Sequence, residues 1–227
     1  MPSSCLTPRD LSILLPPTPD LAFERQLLDM GLRLIAGLDE AGRGAWAGPV
    51  VAAAVILPLD CPDLARTLDG VDDSKRLSAS QREAALKRIQ AVALAVGVGG
   101  AGPREVDRDG LIPATRAAMI RAIAALQLQP EALLLDHISL LEVELPQASL
   151  VKGDARSLSI AAASIVAKVH RDRVMAALDA QVPGYSFARH KGYGTAVHRA
   201  ALGRLGVSEA HRRSYRPIAN MICPPGL

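Results

Sequence analysis

The sequence predicts an α/β fold built on a sheet that is partly antiparallel. Two compact apolar runs, at 34–38 and 50–57, follow each other closely and are typical of neighbouring strands; the second is rich in β-branched residues. Strand-like runs and helical stretches then alternate, as expected of an α/β sheet. At 227 residues, with 49% hydrophobic and 22% charged residues, the chain suits one large globular domain.

Local signals along the chain predict the individual elements. The first run ends in Asp39 and Glu40, and a glycine-rich turn separates it from the second run. Ser80 and Glu83 fit a capping box that opens a helix reaching about residue 90. The other predicted elements are a strand at 92–98, an alanine-rich helix at 113–128, strands at 132–135 and 148–151, and a long helix at 157–180.

Composition divides the chain into three parts. Residues 1–30 are rich in proline and are expected to form a loosely attached extension or a short docking helix, to which we assign no role. Residues 31–183 form the core. Residues 184–227, beginning near Gly184, form a basic helical segment at the C-terminus.

Several classes of protein are excluded by composition. Aromatic residues make up only 3% of the chain, which argues against a broad platform for stacking bases. Its three cysteines are far apart, and their spacing predicts neither a disulfide framework nor a zinc site. The first twenty residues lack the basic start of a signal peptide, and no uncharged stretch is long enough to span a membrane. We therefore expect a cytoplasmic protein without membrane contact.

The charge of the chain is unevenly distributed. The net charge is only +3, but residues 1–150 carry 14 basic and 19 acidic side chains, whereas residues 151–227 carry 12 and 4. Such asymmetry is found in nucleic-acid contact faces and equally in solvated basic helices. Composition alone does not choose between these interpretations.

Carboxylates follow three of the predicted strands. Asp39 and Glu40 follow the first run, and Asp136 and Asp154 follow the strands at 132–135 and 148–151. A sheet that brings these ends together places four carboxylates at one edge, where their repulsion needs compensation. A hard cation such as Mg²⁺ or Mn²⁺ is the usual partner of such oxygen ligands. Two ions about 4 Å apart would suit phosphoryl chemistry, as in nucleases and polymerases.

The turn after the first strand has a phosphate-binding character. Side chains alternate across a strand, so Asp39 and Glu40 face the same ions only if the strand ends or bulges there, which Gly42, Arg43 and Gly44 permit. The glycines let backbone amides approach a polyanion, and the arginine offers a bidentate fork. A tight turn between two strands is the alternative interpretation.

Five blocks of sequence follow one another along the chain: GLDEAGRGAWAGPVVAAAVIL, DDSKRLS, VKGDARSLSIAAASIVAKVHRD, HKGYGTAVH and HRRSYRP. In this order they resemble bacterial ribonuclease HII of the type 2 ribonuclease H family. With their intervals they cover about residues 32–217, and the combination is far more specific than any single block. The first 30 residues and the last ten lie outside the resemblance.

This resemblance implies a ribonuclease H-like mixed β-sheet flanked by helices, with a helical C-terminal part. It also implies an endonuclease that cleaves the RNA strand of RNA/DNA hybrids and incises 5′ of single ribonucleotides in duplex DNA. Hydrolysis in this family uses two Mn²⁺ or Mg²⁺ ions and leaves 3′-hydroxyl and 5′-phosphate ends. The expected partner is therefore a hybrid or ribonucleotide-containing duplex, bound by a monomer.

The resemblance also assigns roles to residues. The metal-binding and catalytic acids of the family fall on Asp39, Glu40, Asp136 and Asp154. Its ribonucleotide-contacting turn falls on Gly42, Arg43 and Gly44, and the tyrosine that packs on the next deoxyribose falls on Tyr193. Candidate phosphate or acid-network contacts are Ser74, Lys75, Lys152 and Lys168.

One local departure and two rival functions accompany the resemblance. Many relatives have glycine after the central aspartate, where this chain has His137, which is expected to point away from the metals. Three further histidines, His190, His198 and His211, are expected at the surface or near backbone phosphates. The rivals are a hybrid-binding protein without turnover, against which the intact acidic set argues, and a ribonuclease HIII-type enzyme, which the chain length disfavours.

Overall fold

The fold is a mixed five-stranded sheet covered by helices on both faces. The computed structural model describes residues 18–223. The strands are β1 (Ile35–Ala41), β2 (Val50–Ile56), β3 (Ala95–Ala101), β4 (Ala132–Asp136) and β5 (Gln147–Leu150), in the order β3-β2-β1-β4-β5. The β1–β2 and β2–β3 pairs are antiparallel, whereas β1–β4 and β4–β5 are parallel. The predicted α/β class and the partly antiparallel sheet are thus confirmed.

The helices of the described part are α1 (Ala22–Asp29), α2 (Leu64–Thr67), α3 (Ala79–Val92), α4 (Pro103–Asp109), α5 (Leu111–Ala124), α6 (Leu158–Gln181), α7 (Phe187–His190), α8 (Ala196–Leu205) and α9 (Arg216–Ile222). A short 3₁₀ turn, Gly153–Ala155, joins β5 to α6. No described helix is long and apolar enough to cross a membrane.

Strand β2 separates two apolar layers and is buried along its whole length. Ala53 and Val55 face the layer formed with α3 and α6, whereas Ala52 and Ala54 face the layer formed with α5. This alternation follows from the two-residue period of a strand. It explains why the predicted run at 50–57 is continuously apolar, since both of its faces pack against helices.

Helix α6 approaches the sheet unusually closely. A Cβ atom added at Gly37 in β1 would overlap the backbone of Ser159 in α6. The first half of α6 is alanine-rich and fully buried, with Ala161, Ala162 and Ala163 in contact with the sheet layer. Small residues on both partners therefore set the distance between the helix and the strand that carries Asp39.

The segment at 18–30 is docked on the core. Asp20 forms an isolated bridge with Ser157, and the buried Glu24 of α1 accepts hydrogen bonds from the Ser157 hydroxyl at 2.7 Å and the Ser159 amide at 2.9 Å. Glu24 thus satisfies donors at the N-terminus of α6. The helix in this segment is thus hydrogen-bonded to the core, and the part of the extension at 1–17 lies outside the described residues.

The predicted starts of α3 and β3 were wrong, and α5 ends at Ala124 instead of residue 128. The capping box before α3 is formed by Ser78 and Gln81, two residues earlier than predicted, with both reciprocal hydrogen bonds present. Strand β3 begins at Ala95, because α3 continues to Val92 before the chain turns. Serine residues at 78 and 80 offer similar capping chemistry, and only packing of the helix selects between them.

The C-terminal segment packs around a cluster of aromatic rings. Phe187 contacts His190, His198 and His211, and the rings of His190 and His198 stack with centroids 4.4 Å apart. All three histidines are buried, so the prediction that they lie at the surface was wrong. Sequence reasoning assigned them to solvent because the segment is basic, whereas the histidines fill its interior.

Hydrogen bonds in this cluster require neutral histidines. The Nδ1 atom of His198 lies 3.1 Å from the Tyr193 carbonyl oxygen, which can only accept, so Nδ1 carries the proton. His198 Nε2 then accepts from His211 Nε2, 3.0 Å away, and His211 Nδ1 accepts from the amide of Ser208. A further proton on either ring would place two donors against each other.

We expect His198 and His211 to remain neutral at acidic pH. Burial lowers the pKa of each to about 4. An unfolded chain protonates histidine near pH 6.5, so the stabilising contribution of these groups is complete above that pH and is lost as the pH falls toward 4. Imidazole ¹⁵N NMR should show both rings neutral at pH 5.5; midpoints near 6.5 would contradict the assignment.

We expect Gly37→Ala to destabilise the protein by about 1–3 kcal/mol, because the added methyl group forces α6 away from β1. Gly203→Ala is a matched control: Gly203 lies on the exposed side of α8 with nothing near its missing Cβ. The control should be neutral or stabilising by about 0.5–1 kcal/mol. Urea unfolding measures both, and equal effects would disprove the close approach.

Candidate active site

The four predicted acidic residues lie at one edge of the sheet. In the parallel β1–β4 pair, Leu38 is opposite Leu135, so Asp39 and Asp136 follow at the same ends of adjacent strands. Glu40 comes next in β1, and Asp154 lies in the 3₁₀ turn after β5. The parallel arrangement brings together carboxylates that are far apart in the sequence.

Two adjoining clefts contain all of the predicted site residues. One cleft, of about 320 Å³, is lined by residues including Asp39, Glu40, Asp136, Gly42, Arg43, Gly44, Ser74, Lys75, Lys168 and Tyr193. The second shares Arg43, Lys75 and Asp136 with the first and adds Lys152 and Asp154. We refer to the two together as the acidic cleft.

The expected break in β1 is absent. Strand β1 pairs regularly with β2 through Asp39, Glu40 and Ala41, so the prediction of an end or bulge at the two acids was wrong. Both side chains nevertheless line the same cleft. Pairing of β1 with β4 stops at Leu38, which leaves that side of Asp39 and Glu40 open.

Burial dominates the electrostatics of the acids. Asp39 is only 4% exposed, and burial, followed by the charges of Glu40 and Asp136, raises its pKa well above the usual value. Burial also raises the pKa values of Glu40 and Asp136, although Arg43 opposes the shift at Glu40. These groups are wholly or partly shielded from solvent and repel one another, so the cleft favours binding of positive charge.

Two basic side chains already compensate part of this charge. Lys75 Nζ donates to Asp154 Oδ2 at 2.9 Å, and Arg43 Nη1 donates to Glu40 Oε1 at 3.1 Å. Burial alone would lower the pKa of Lys75, but the hydrogen bond and charge of Asp154 outweigh it and raise the pKa. The Gly153 amide donates to Asp136 Oδ1 at 2.7 Å.

The donor set fits a hard divalent cation. Every ligand candidate is a carboxylate oxygen, and Glu40 Oε2 is buried without a hydrogen-bond partner. No group of three or more acidic, histidine or cysteine side chains among the described residues has the spacing that would already hold an ion.

The remaining predicted contacts differ in position. Ser74 is buried and shares a hydrogen bond of 2.8 Å with the Ser164 hydroxyl. Lys168 lines the cleft, donates to Asp172 at 2.7 Å, and has a pKa lowered chiefly by burial. Lys152 is exposed at the second cleft. Ser74 is thus hydrogen-bonded to Ser164 inside the protein, whereas Lys168 and Lys152 line the open part of the acidic cleft.

His137 occupies a backbone conformation that usually favours glycine. Its φ angle is +60°, in the left-handed region. This explains physically why glycine suits the position after the central aspartate. His137 is among the residues that line the second cleft, together with Lys152 and Asp154, and the orientation of its side chain toward or away from the metals stays a prediction.

Sequence reasoning missed three residues that support the site. Backbone carbonyls of the Gly42–Pro49 loop accept hydrogen bonds from the side chains of Arg171, Arg212 and Tyr215. They lie in two of the sequence blocks that carried the resemblance, but nothing in the local pattern showed that the arginines are buried. Their contacts join α6 and the chain before α9 to a loop more than 120 residues away.

Comparisons with known proteins agree on one family. The model of the family Ribonuclease HII matches residues 36–218. Ribonuclease HII of Chloroflexus aggregans is 52% identical over 205 residues, covering 90% of this chain and 97% of that protein. The Chloroflexus aurantiacus protein of the same name is 54% identical over 203 residues, covering 88% and 94%.

A solved structure supports the same conclusion. A chain of the PCNA:RNase HII complex from Archaeoglobus fulgidus superposes with a TM-score of 0.68 at 27% identity, covering 81% of this chain and 95% of that one. The fold is therefore ribonuclease H-like. Since the family model spans most of the sequence and the relatives match over nearly their whole length, the chain belongs to the ribonuclease HII family of endoribonucleases.

Proposed function

We propose that this enzyme cleaves the RNA strand of RNA/DNA hybrids and incises duplex DNA on the 5′ side of single ribonucleotides. The products would carry 3′-hydroxyl and 5′-phosphate ends. The observation that carries the proposal is the meeting of Asp39, Glu40, Asp136 and Asp154 with the Gly42–Gly44 turn and Tyr193 in the acidic cleft.

The four carboxylates are the proposed ligands of two divalent cations, Mg²⁺ or Mn²⁺. Bound ions would supply activation of the attacking water and stabilisation of the leaving oxygen. The protein contributes a set of buried, mutually repelling oxygens, held by the Gly153 amide at Asp136 and by the rigid end of β1 at Asp39. Arg43 and Lys75, at the rim, are the proposed contacts to phosphate.

Ribonucleotide recognition is assigned to the turn and the tyrosine beside it. Gly44 is exposed and lies beside the ring of Tyr193, which is 38% exposed. The 2′-hydroxyl is the one group that distinguishes a ribonucleotide from its neighbours. A single ring packed on the following deoxyribose suits a chain with so few aromatics.

The proposal extends to how the protein meets its substrate. We propose a monomer whose basic residues beyond 150 track the phosphates of the duplex. A ribonuclease HIII-type enzyme is not retained as an alternative, because the family is ribonuclease HII. A hybrid-binding protein without turnover remains the rival, which cleavage itself distinguishes.

The direct test is cleavage of a DNA duplex that carries one ribonucleotide, beside an all-DNA duplex and a long RNA/DNA hybrid, with Mg²⁺ or Mn²⁺. We expect one incision 5′ of the ribonucleotide, cleavage of the hybrid and no cleavage of the all-DNA control. Mapping of the ends should give a 3′-hydroxyl. Binding without cleavage under both metals would favour the hybrid-binding rival.

We expect Asp136→Asn to lower kcat by about 100-fold or more while duplex affinity is retained, because the charge at the proposed metal site is lost but the shape is kept. Removing a repelling carboxylate should not lower the melting temperature. The control is Asp60→Asn, at an exposed loop position. Unchanged turnover would remove Asp136 from the proposed site.

We expect Tyr193→Ala to impair cleavage at a single ribonucleotide more than cleavage of a long hybrid. Only the single-ribonucleotide substrate always places a deoxyribose after the ribonucleotide, where the ring is proposed to pack. Tyr193→Phe keeps the ring and should retain this preference. Steady-state kinetics on both substrates measure the ratio, and equal losses would reject the role at the junction.

A further inference from the structure

Two buried arginines lie beneath the Gly42–Pro49 loop. Arg171 belongs to α6 and Arg212 precedes α9, and neither side chain is accessible to solvent. Buried charge is costly unless hydrogen bonds satisfy it. Burial lowers the pKa of Arg171 to about 10 and also lowers that of Arg212. Each buried guanidinium therefore needs several hydrogen-bond acceptors inside the protein.

Arg212 holds the loop through its backbone oxygens. Its Nε and Nη2 donate to the Gly48 carbonyl at 3.0 and 2.9 Å, and its Nη1 donates to the Arg43 carbonyl at 2.8 Å. Nη1 also donates to the Tyr215 hydroxyl, which in turn donates to the same Arg43 carbonyl. Two donors therefore fix one carbonyl of the turn.

This contact sets the direction of the next amide. In a trans peptide the C=O and N–H of one unit point to opposite sides. Because the Arg43 carbonyl points inward to Arg212, the Gly44 N–H points outward. Gly44 is exposed and lines the acidic cleft, and its N–H has no backbone acceptor among the described residues. It is a free donor beside the proposed metal ligands.

Arg171 ties the same loop to the segment that carries Tyr193. Its guanidinium donates to the carbonyls of Pro49, Lys191 and Ala47 at 2.9, 3.0 and 3.3 Å and lies 5.6 Å from the centre of the Tyr193 ring. Gly42 has a φ of +94°, and a Cβ there would overlap Arg171. Arg171 therefore contacts both the Gly42–Pro49 loop and the segment that carries Tyr193.

We propose that Arg212, together with Tyr215, is a positioning residue that fixes the Arg43–Gly44 peptide so that the Gly44 amide faces the ribose of the substrate. This inference rests on the proposed function and deepens it. Arg212 and Tyr215 do not line the acidic cleft. Ribonucleotide preference is then partly set by residues that lie outside the acidic cleft.

Tyr215→Phe is the sharpest variant, because it removes one donor to the Arg43 carbonyl and keeps the ring. Tyr185→Phe is the matched control: the Tyr185 hydroxyl donates to the Gly206 carbonyl at 2.9 Å, in the same C-terminal part but away from the loop. Arg212→Lys keeps the charge, but the lysine cannot reach the same carbonyl oxygens. Its kcat/KM for the single-ribonucleotide duplex should therefore be lower than that of Tyr215→Phe.

We expect Tyr215→Phe to lower kcat/KM for the single-ribonucleotide duplex about 10-fold, the effect of roughly one hydrogen bond. Affinity for an all-DNA duplex should be unchanged, since backbone contacts remain. Tyr185→Phe should leave both values near wild type. Equal losses in the two tyrosine variants, or equal loss of all-DNA binding, would overturn the positioning role.

Hydrogen exchange without substrate provides a readout that does not depend on activity. The amides of Trp46 and Gly48 donate to the Gly192 and Ala210 carbonyls, each at 2.8 Å, and report on the loop. They should exchange faster in Tyr215→Phe than in wild type or Tyr185→Phe. Unchanged exchange would overturn the inference, whereas a wild-type protein that cleaves neither ribonucleotide substrate would instead reject the proposed function.

Discussion

Asp39 is almost fully buried beside the carboxylates of Glu40 and Asp136. Burial raises the free energy of its charged form, and the surrounding structure offsets part of that cost. The residue lies in β1 directly after Leu38, where the parallel pairing with β4 ends, so Asp136 stands next to it. The close approach of α6 at Gly37 packs the helix directly against the strand that carries Asp39. Lys75 and Arg43 offset part of the repulsion, and a cleft with this residual charge attracts divalent cations.

Positive charge acts in two ways in this protein. Some basic residues are exposed and suit contact with phosphates, which is one of the two interpretations that the uneven charge distribution left open. Arg171 and Arg212 are instead buried and bind backbone carbonyls of the loop above them. Neutral His198 and His211 complete the interior of the same region. Part of the apparent basic surface is therefore an internal support for the turn that carries Arg43.

Local sequence patterns predicted a secondary-structure element well where burial of the element dominated its composition. The apolar runs of β1, β2 and β4 and the long alanine-rich α6 were predicted close to their observed bounds, because burial on both sides leaves an unmistakable composition. All predicted site residues line the acidic cleft. The failures came from context: the start of α3, the unbroken end of β1 and the buried histidines each depend on what packs against them.

The sequence by itself determined the α/β class, the acidic residues at the strand ends and, through its ordered blocks, the family to which the chain belongs. It did so because the periodicity of strands and helices is a local property, and because the order of the motif blocks can be read directly along the chain. Only the tertiary structure decided which way the Arg43–Gly44 peptide faces and which basic residues lie inside. Those outcomes depend on contacts between segments more than 120 residues apart, and no local pattern encodes burial at that distance.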